Sequence, residues 1–243
     1  MASSFLRSAL ALSVIFSLSM PVVQAADNTR TTDSEPATLF EGYQGVLPCT
    51  DCDGIDTRIR LNDDGSFVET DTYLQGRSGQ LFADYGRWTR QGDKLILTSS
   101  NGDVQSYQVR PDSLLMLDQD DKPLPDEHQY LLQGSEVALP SDPMSVRGMY
   151  TPRATGAVLQ DCATGLTFTL QGESKALQAA YRKAVQKLHG KDPQKPLLVE
   201  LTAHFADKPD KAGDSDEVSA SSVLVVDSLE GFVPAEQCQS EEE

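Results

Sequence analysis

Thr57-Arg58-Ile59-Arg60-Leu61-Asn62-Asp63-Asp64-Gly65-Ser66-Phe67-Val68-Glu69-Thr70-Asp71-Thr72-Tyr73 is the stretch that decides the fold class. Thr57, Ile59 and Leu61 alternate with Arg58 and Arg60, which gives a strand one buried face and one wet face. Asn62-Asp63-Asp64-Gly65 has the chemistry of a tight turn: short polar side chains that bond nearby backbone, then a glycine that tolerates positive φ. These acids lack the spaced ligands and distal glutamate of an EF-hand loop, so they read as turn residues and not as a calcium site. Phe67 to Tyr73 is rich in β-formers and returns as the partner strand.

The same texture continues on the C-terminal side. Tyr85-Gly86-Arg87-Trp88, Leu95-Ile96-Leu97, Tyr107-Gln108-Val109, Leu114 to Leu117 and Tyr130-Leu131-Leu132 are short β-rich segments separated by turns. Asn101-Gly102 predicts a type I′ hairpin, since both residues tolerate positive φ. Seven or so strands and no convincing helix across 42–135 predict a small antiparallel barrel or sandwich. Leu139-Pro140-Ser141-Asp142-Pro143 opposes both helix and central strand, and 136–147 is expected to be a linker. A second domain is expected over 148–239. Its strand segments are Met149-Tyr150, Val158-Leu159, Leu166 to Leu170, Leu197 to Phe205 and Val223 to Val226. One helix runs from an N-cap at Ser174 to Leu188, with Leu177, Tyr181, Ala184 and Leu188 on one face and Gly190 placed to end it. Five strands and one helix predict an OB-like β-barrel, followed by an acidic tail at 240–243.

Residues 1–25 hold one basic residue, Arg7, an almost wholly apolar run from Ala9 to Leu18, and small residues Val23 and Ala25 before a cleavage point. That is a signal peptide, since the run is about half of the roughly 20 residues a membrane span needs. No cysteine follows the expected cut, so neither lipid attachment nor stable membrane insertion is expected. Residues 26–41 read as a flexible leader. Without Arg7, 19 basic residues face 37 acidic ones, a net charge near −18. This opposes nucleic acid and anionic lipid as partners, both of which need basic surface.

Four cysteines in an exported chain point to disulfides. Joining Cys49 to Cys52 and Cys162 to Cys238 keeps each bridge inside one expected domain. The second encloses a long loop and is expected to be structural, whereas the first encloses almost nothing, so it is either a turn staple or a redox reporter. Asp51 and Asp53 beside the first pair disfavour thiolates, and no helix start follows it, which argues against oxidoreductase catalysis. One such pair is half of a structural zinc site. Reduced Cys49 and Cys52 would suit soft copper(I), although Met116, Met144, Met149, His128, His189 and His204 are scattered. No Gly-x-Ser-x-Gly elbow, phosphate loop or His-Glu-x-x-His motif is present, and no carboxylate pair stands out in an apolar setting, so no enzyme is expected.

Tyr43-Gln44-Gly45-Val46-Leu47-Pro48-Cys49-Thr50-Asp51-Cys52-Asp53-Gly54-Ile55, followed by the Asp64-Gly65-Ser66-Phe67 hairpin, resembles the opening of the NlpE family of envelope proteins. The later Gly86-Arg87-Trp88 and Leu95-Ile96-Leu97 fit the same domain. Gly148-Met149-Tyr150, Asp161-Cys162-Ala163-Thr164-Gly165 and Cys238 look like the domain often found after it. The resemblance implies a lipocalin-like N-terminal barrel, an OB-like C-terminal domain, and disulfides at Cys49–Cys52 and Cys162–Cys238. It further implies a periplasmic role in copper tolerance or envelope-stress sensing through contact with another envelope protein. Relatives of this family carry an acylated N-terminal cysteine, which this sequence lacks after its expected cleavage point. The alternative functions are a small-ligand carrier using the barrel interior and a thiol–disulfide exchange protein.

Overall fold

The computed structural model describes residues 37–74, 81–154, 156–172, 175–188, 195–208, 222–234 and 236–238. The expected signal peptide, the leader up to residue 36, Ser174, Gly190 and the acidic tail lie outside them.

The alternation at Thr57 to Leu61 lies in β2 (Gly54–Leu61), where Ile59 is fully buried and Arg58 is exposed. β3 (Ser66–Leu74) runs antiparallel to it, with Ile59 opposite Glu69. The chain continues through β4 (Leu81–Gln91), β5 (Lys94–Ser99), β6 (Val104–Val109), β7 (Ser113–Met116), a 3-10 turn at Glu127–Tyr130 and β8 (Leu131–Gly134). Each strand pairs antiparallel with the next, and β8 pairs with β1 (Gly42–Leu47) to close an eight-stranded barrel. β1 is absent from the seven expected segments because two of its first four residues are glycine. The closing seam requires them: a Cβ on Gly42 would lie 2.6 Å from Ser135 O, and one on Gly45 2.5 Å from Leu131 O.

Tyr43, Ile59, Phe67, Leu95, Tyr107 and Leu132 fill this barrel, each at most 1 % exposed. Each side chain contributes about 1.5–3 kcal/mol by leaving water. Ile59, Phe67 and Leu95 occupy the interior, an arrangement that does not favour the expected alternative of a small-ligand carrier using the barrel interior. The β5–β6 hairpin also differs from expectation. Gly102 has φ 90 but Asn101 does not reach positive φ, so the turn is not type I′. Asn101 instead accepts the Asp103 N–H on its side-chain oxygen at 2.9 Å, and the loop widens to Ser100–Asp103.

The second barrel is built from β9 (Met144–Arg153), β10 (Gly156–Asp161), β11 (Thr167–Gln171), β12 (Leu197–Asp207) and β13 (Ser222–Val233), with α1 (Lys175–Lys187) between β11 and β12. Strand order is β10-β11-β13-β12-β9, closed by β9 on β10, with β11 and β13 the parallel pair. This is the expected OB-like arrangement. β9 begins inside the stretch expected to be linker, because Met144-Ser145-Val146-Arg147-Gly148 alternates buried and exposed residues and pairs with Ala203 to Val199. β13 extends seven residues past Val226, with register shifts opposite Glu200/Leu201 and Thr202/Ala203. Its polar Asp227-Ser228 stretch hid that extension. On α1, Leu177, Tyr181 and Ala184 are buried as the spacing predicts, Val185 joins them, and Leu188 is only partly covered. Tyr181 packs on Tyr150 with ring centroids 5.1 Å apart.

The outer face of β3 and β4 abuts this second barrel. Val68 and Tyr85 belong to its hydrophobic cluster, and the Tyr85 ring lies 5.5 Å from that of Phe205. Tyr85 Oη donates to buried Asp161 Oδ1 at 2.9 Å, and Arg87 Nη1 donates to Thr164 O at 3.2 Å. Arg60 donates to Val137 O and forms an ion pair with Asp207 at 3.3 Å.

Candidate functional site: the cysteine loop of the first barrel

The loop Pro48–Asp53 joins β1 to β2 at one rim of the barrel, where Leu47 pairs with Ile55. Cys49 and Cys52 are bonded to each other across it, with Cα atoms 5.3 Å apart. Gly54 follows at φ 149, and a Cβ there would lie 2.5 Å from Val46 Cγ1, so only glycine lets the chain turn directly into β2. The Asp53 N–H donates to Leu74 O at 3.0 Å, which ties the loop to the end of β3. Pro48, Thr50, Asp51 and Asp53 are exposed, the cysteines are half-buried, and Val46 beside them is 53 % exposed. The pair therefore lies on a small apolar and acidic rim that solvent and a partner can reach.

The surrounding charges are negative. Asp51 Oδ1 lies 3.6 Å from Cys49 Sγ, while the nearby cation Arg58 is engaged by Asp56 at 2.8 Å. No helix N-terminus follows, since Gly54 opens a strand. Carboxylates without a free cation hold thiols protonated, which is unfavourable for a fast exchange catalyst. Among the described residues, Cys49, Asp51 and Cys52 form the only group of His, Cys, Asp or Glu whose ligand atoms converge, all within 4.8 Å. Two thiolates released by reduction would suit copper(I), and the hard Asp51 oxygen adds little to that affinity. Metal capacity is thus conditional on breaking the bridge.

Cys162 and Cys238 are bonded elsewhere, with Cα atoms 5.1 Å apart and a sequence separation of 76. Cys162 follows β10 and its N–H donates to Arg147 O at 2.9 Å, so this bridge fastens the chain end after β13 to the β10–β11 turn. Asp161 holds that turn by accepting the Thr164 N–H and Oγ1 on Oδ2, each at 2.7 Å. Among the described residues, neither His128 nor His204 joins the Cys49, Asp51 and Cys52 group, and His204 Nδ1 lies 2.9 Å from Asp227; His189 lies outside the described residues. Met144 is buried and Met116 and Met149 are half-buried, none in that ligand group.

Sequence reasoning overlooked one cluster. Glu69 and Asp71 on β3 and Asp84 on β4 line a cavity at the mouth of the first barrel. Phe67, Glu69 and Asp71 share one parity along β3, so the burial of Phe67 is the signal that would have found them.

Residues 43–127 match the family model for the NlpE N-terminal domain, and residues 140–239 match that for the NlpE C-terminal OB domain. The chain is 36 % identical to Lipoprotein NlpE of Escherichia coli (strain K12) over 208 residues, which covers 85 % of this chain and 84 % of the relative. Among solved structures, it is similar to the crystal structure of the Cpx pathway activator NlpE from Escherichia coli. That match has 34 % identity, covers 83 % of this chain and 100 % of that one, and has a TM-score of 0.35. A solved structure from Shewanella oneidensis is 31 % identical, covering 42 % of this chain and 93 % of that one at a TM-score of 0.36. No helix among the described residues is long and apolar enough to cross a membrane. Two domain matches in sequence order, with a third of the residues shared along most of both chains, make this protein a member of the NlpE family.

Proposed function

We propose that the chain is a non-enzymatic protein of the periplasm that contributes to envelope-stress sensing or copper tolerance by contacting another envelope protein. The redox or copper state of Cys49 and Cys52 alters the rim it offers. The observation that carries this reading is the placement of a short-range bridge on an exposed rim, tied to β3 at one hydrogen bond and flanked by exposed Val46. Family membership supports it, since one solved relative is described as a Cpx pathway activator. Two electrons and two protons from a dithiol reductant would convert the bridge to two thiols, free to move apart or to hold one copper(I) after deprotonation. Thiol–disulfide exchange is the weaker reading because the acidic surroundings oppose a thiolate.

The test counts free thiols in periplasmic extracts under oxidising, reducing and copper-stress conditions, alongside a stress-pathway reporter. The wild-type chain should expose two thiols under reducing or copper stress, and Cys49→Ser, Cys52→Ser should shift the reporter response. A bridge that stays closed throughout, with identical reporter output from the double variant, would remove the switch and leave a turn staple.

A further inference from the structure

Averaged over the chain, the charge opposes an anionic partner, yet the cations are not spread evenly. Residues 172–196 hold six of the 20 Lys and Arg but only two of the 37 acids, a local charge of +4 in a chain of −17. Most of that excess lies on one side of α1. Lys175, Arg182, Lys183 and Lys187 are exposed and share a face at helical spacing, opposite buried Leu177, Tyr181 and Ala184. No Asp or Glu occurs anywhere in Lys175–Lys187. Lys183 and Lys187 are like charges one turn apart, and Lys175 puts a cation in the first turn, against the helix dipole. Both weaken the helix, and acids at the same exposed positions would relieve both.

Elsewhere the cations are matched. Among the described residues, Arg58, Arg60, Lys94, Arg110, Lys122 and Arg147 form ion pairs, Arg87 and Arg90 donate to backbone carbonyls, and Lys208 has a partner as well. The four cations of α1, Arg153 at the end of β9 and Lys195 after the helix are the described Lys and Arg whose side chains make no ion pair or hydrogen bond. They lie together. Tyr181 Oη donates to Lys195 O at 2.6 Å, which holds that residue against the helix. Arg153 and Arg182, with Gln178 beside them, line one cavity of about 370 Å³ between the β9–β10 turn and α1. Two unopposed guanidinium forks at one opening suit a phosphate, whose oxygens accept paired N–H donors.

We propose that this face docks on an anionic bilayer surface, with a lipid phosphate seated between Arg153 and Arg182 and the lysines of α1 over neighbouring headgroups. An acidic protein fits less well. A protein interface has an apolar centre, and the exposed large hydrophobic residues, Phe40, Val46, Leu81, Phe82 and Val104, all belong to the first barrel or the segment before it. A bilayer needs no such centre, since its phosphates attract each nearby Lys or Arg by charge alone. The acids on the rest of the chain are screened beyond about 8 Å at physiological ionic strength. The contact is peripheral: α1 packs its apolar face into the barrel core, so it lies on the headgroups without inserting. It is independent of the cysteine loop and of the redox reading.

The test sediments the full chain with vesicles of phosphatidylglycerol and phosphatidylcholine in equal parts, and with phosphatidylcholine vesicles alone. The mixed vesicles should carry the chain down at about 50 mM salt and release it by about 500 mM, while the neutral vesicles leave it in solution. Arg182→Gln, Lys183→Gln, Lys187→Gln keeps helix propensity and the circular dichroism spectrum, and should weaken partitioning about a hundredfold. Arg153→Gln, on the other element, should weaken it about fivefold. Lys94→Gln, Arg110→Gln, Lys122→Gln removes the same charge from the first barrel and should change partitioning by less than about threefold. Poly-glutamate and inorganic phosphate serve as competing arms. Equal losses from the two triple variants, sedimentation with neutral vesicles, none with mixed vesicles at low salt, or capture by poly-glutamate or inorganic phosphate in place of the vesicles would each overturn the proposal.

Discussion

Replacing the two bridges one at a time should separate a reporter from a staple. In the chain-entropy account, a cross-link stabilises in proportion to the logarithm of the loop it closes. The separation of 76 residues between Cys162 and Cys238 corresponds to about 4.5 kcal/mol. The separation of 3 between Cys49 and Cys52 corresponds to about 2 kcal/mol. If the described residues unfold together, Cys162→Ser, Cys238→Ser should lower the thermal midpoint by roughly 9–18 °C, and Cys49→Ser, Cys52→Ser by roughly 4–8 °C. Trp88 is the only tryptophan and lies in β4, so its fluorescence reports the first barrel while circular dichroism reports both. Loss of the long bridge should move the dichroism transition most, with Trp88 following through Tyr85, Val68 and Asp161. An equal or larger loss from the Cys49 and Cys52 variant would refute the reasoning, since that bridge would then be holding the barrel together.

Tyr85→Phe removes the donor to Asp161 Oδ1, at a cost of about 1–3 kcal/mol, and should make the Trp88 and dichroism transitions separate in urea. Gly86→Ala places a Cβ 2.1 Å from Thr98 O and 2.6 Å from Phe67 Cε1, so it should lower stability by about 3 kcal/mol or more, read as a fall in the urea midpoint. The Glu69 carboxyl binds its proton more tightly folded than unfolded, so its stabilising contribution is complete below about 4.5 and declines as pH rises to about 8. Glu69→Gln should therefore gain stability relative to wild type across that window, and a constant difference between pH 4.5 and 8 would contradict the assignment.

Much of the architecture was legible because period-two patterns are local. Ile59, Phe67 and Leu95 announce buried faces, and the Leu177, Tyr181 and Ala184 spacing announces the one helix. β1 was hidden because its glycines are chosen by the closeness of Ser135 and Leu131 across the seam, which sequence alone does not display. The early start of β9 was masked by the prolines just before it. At the candidate site, the cysteine spacing and its acidic neighbours were visible, but the tie from Asp53 to Leu74 required the fold. The carboxyls of Glu69, Asp71 and Asp84 looked scattered because β3 and β4 meet only through their register.

The order of strands in the second barrel has a consequence for the order of folding. β13 occupies the middle of that sheet, between β11 and β12, although it is the last of the five strands in sequence. The first barrel pairs each strand with its sequence neighbour and can add strands in order, with only the β1–β8 closure waiting for its last strand. The second must wait, with β11 and β12 lacking their shared neighbour, until β13 has been synthesised, which leaves a window in which unpaired strand edges are open to wrong partners.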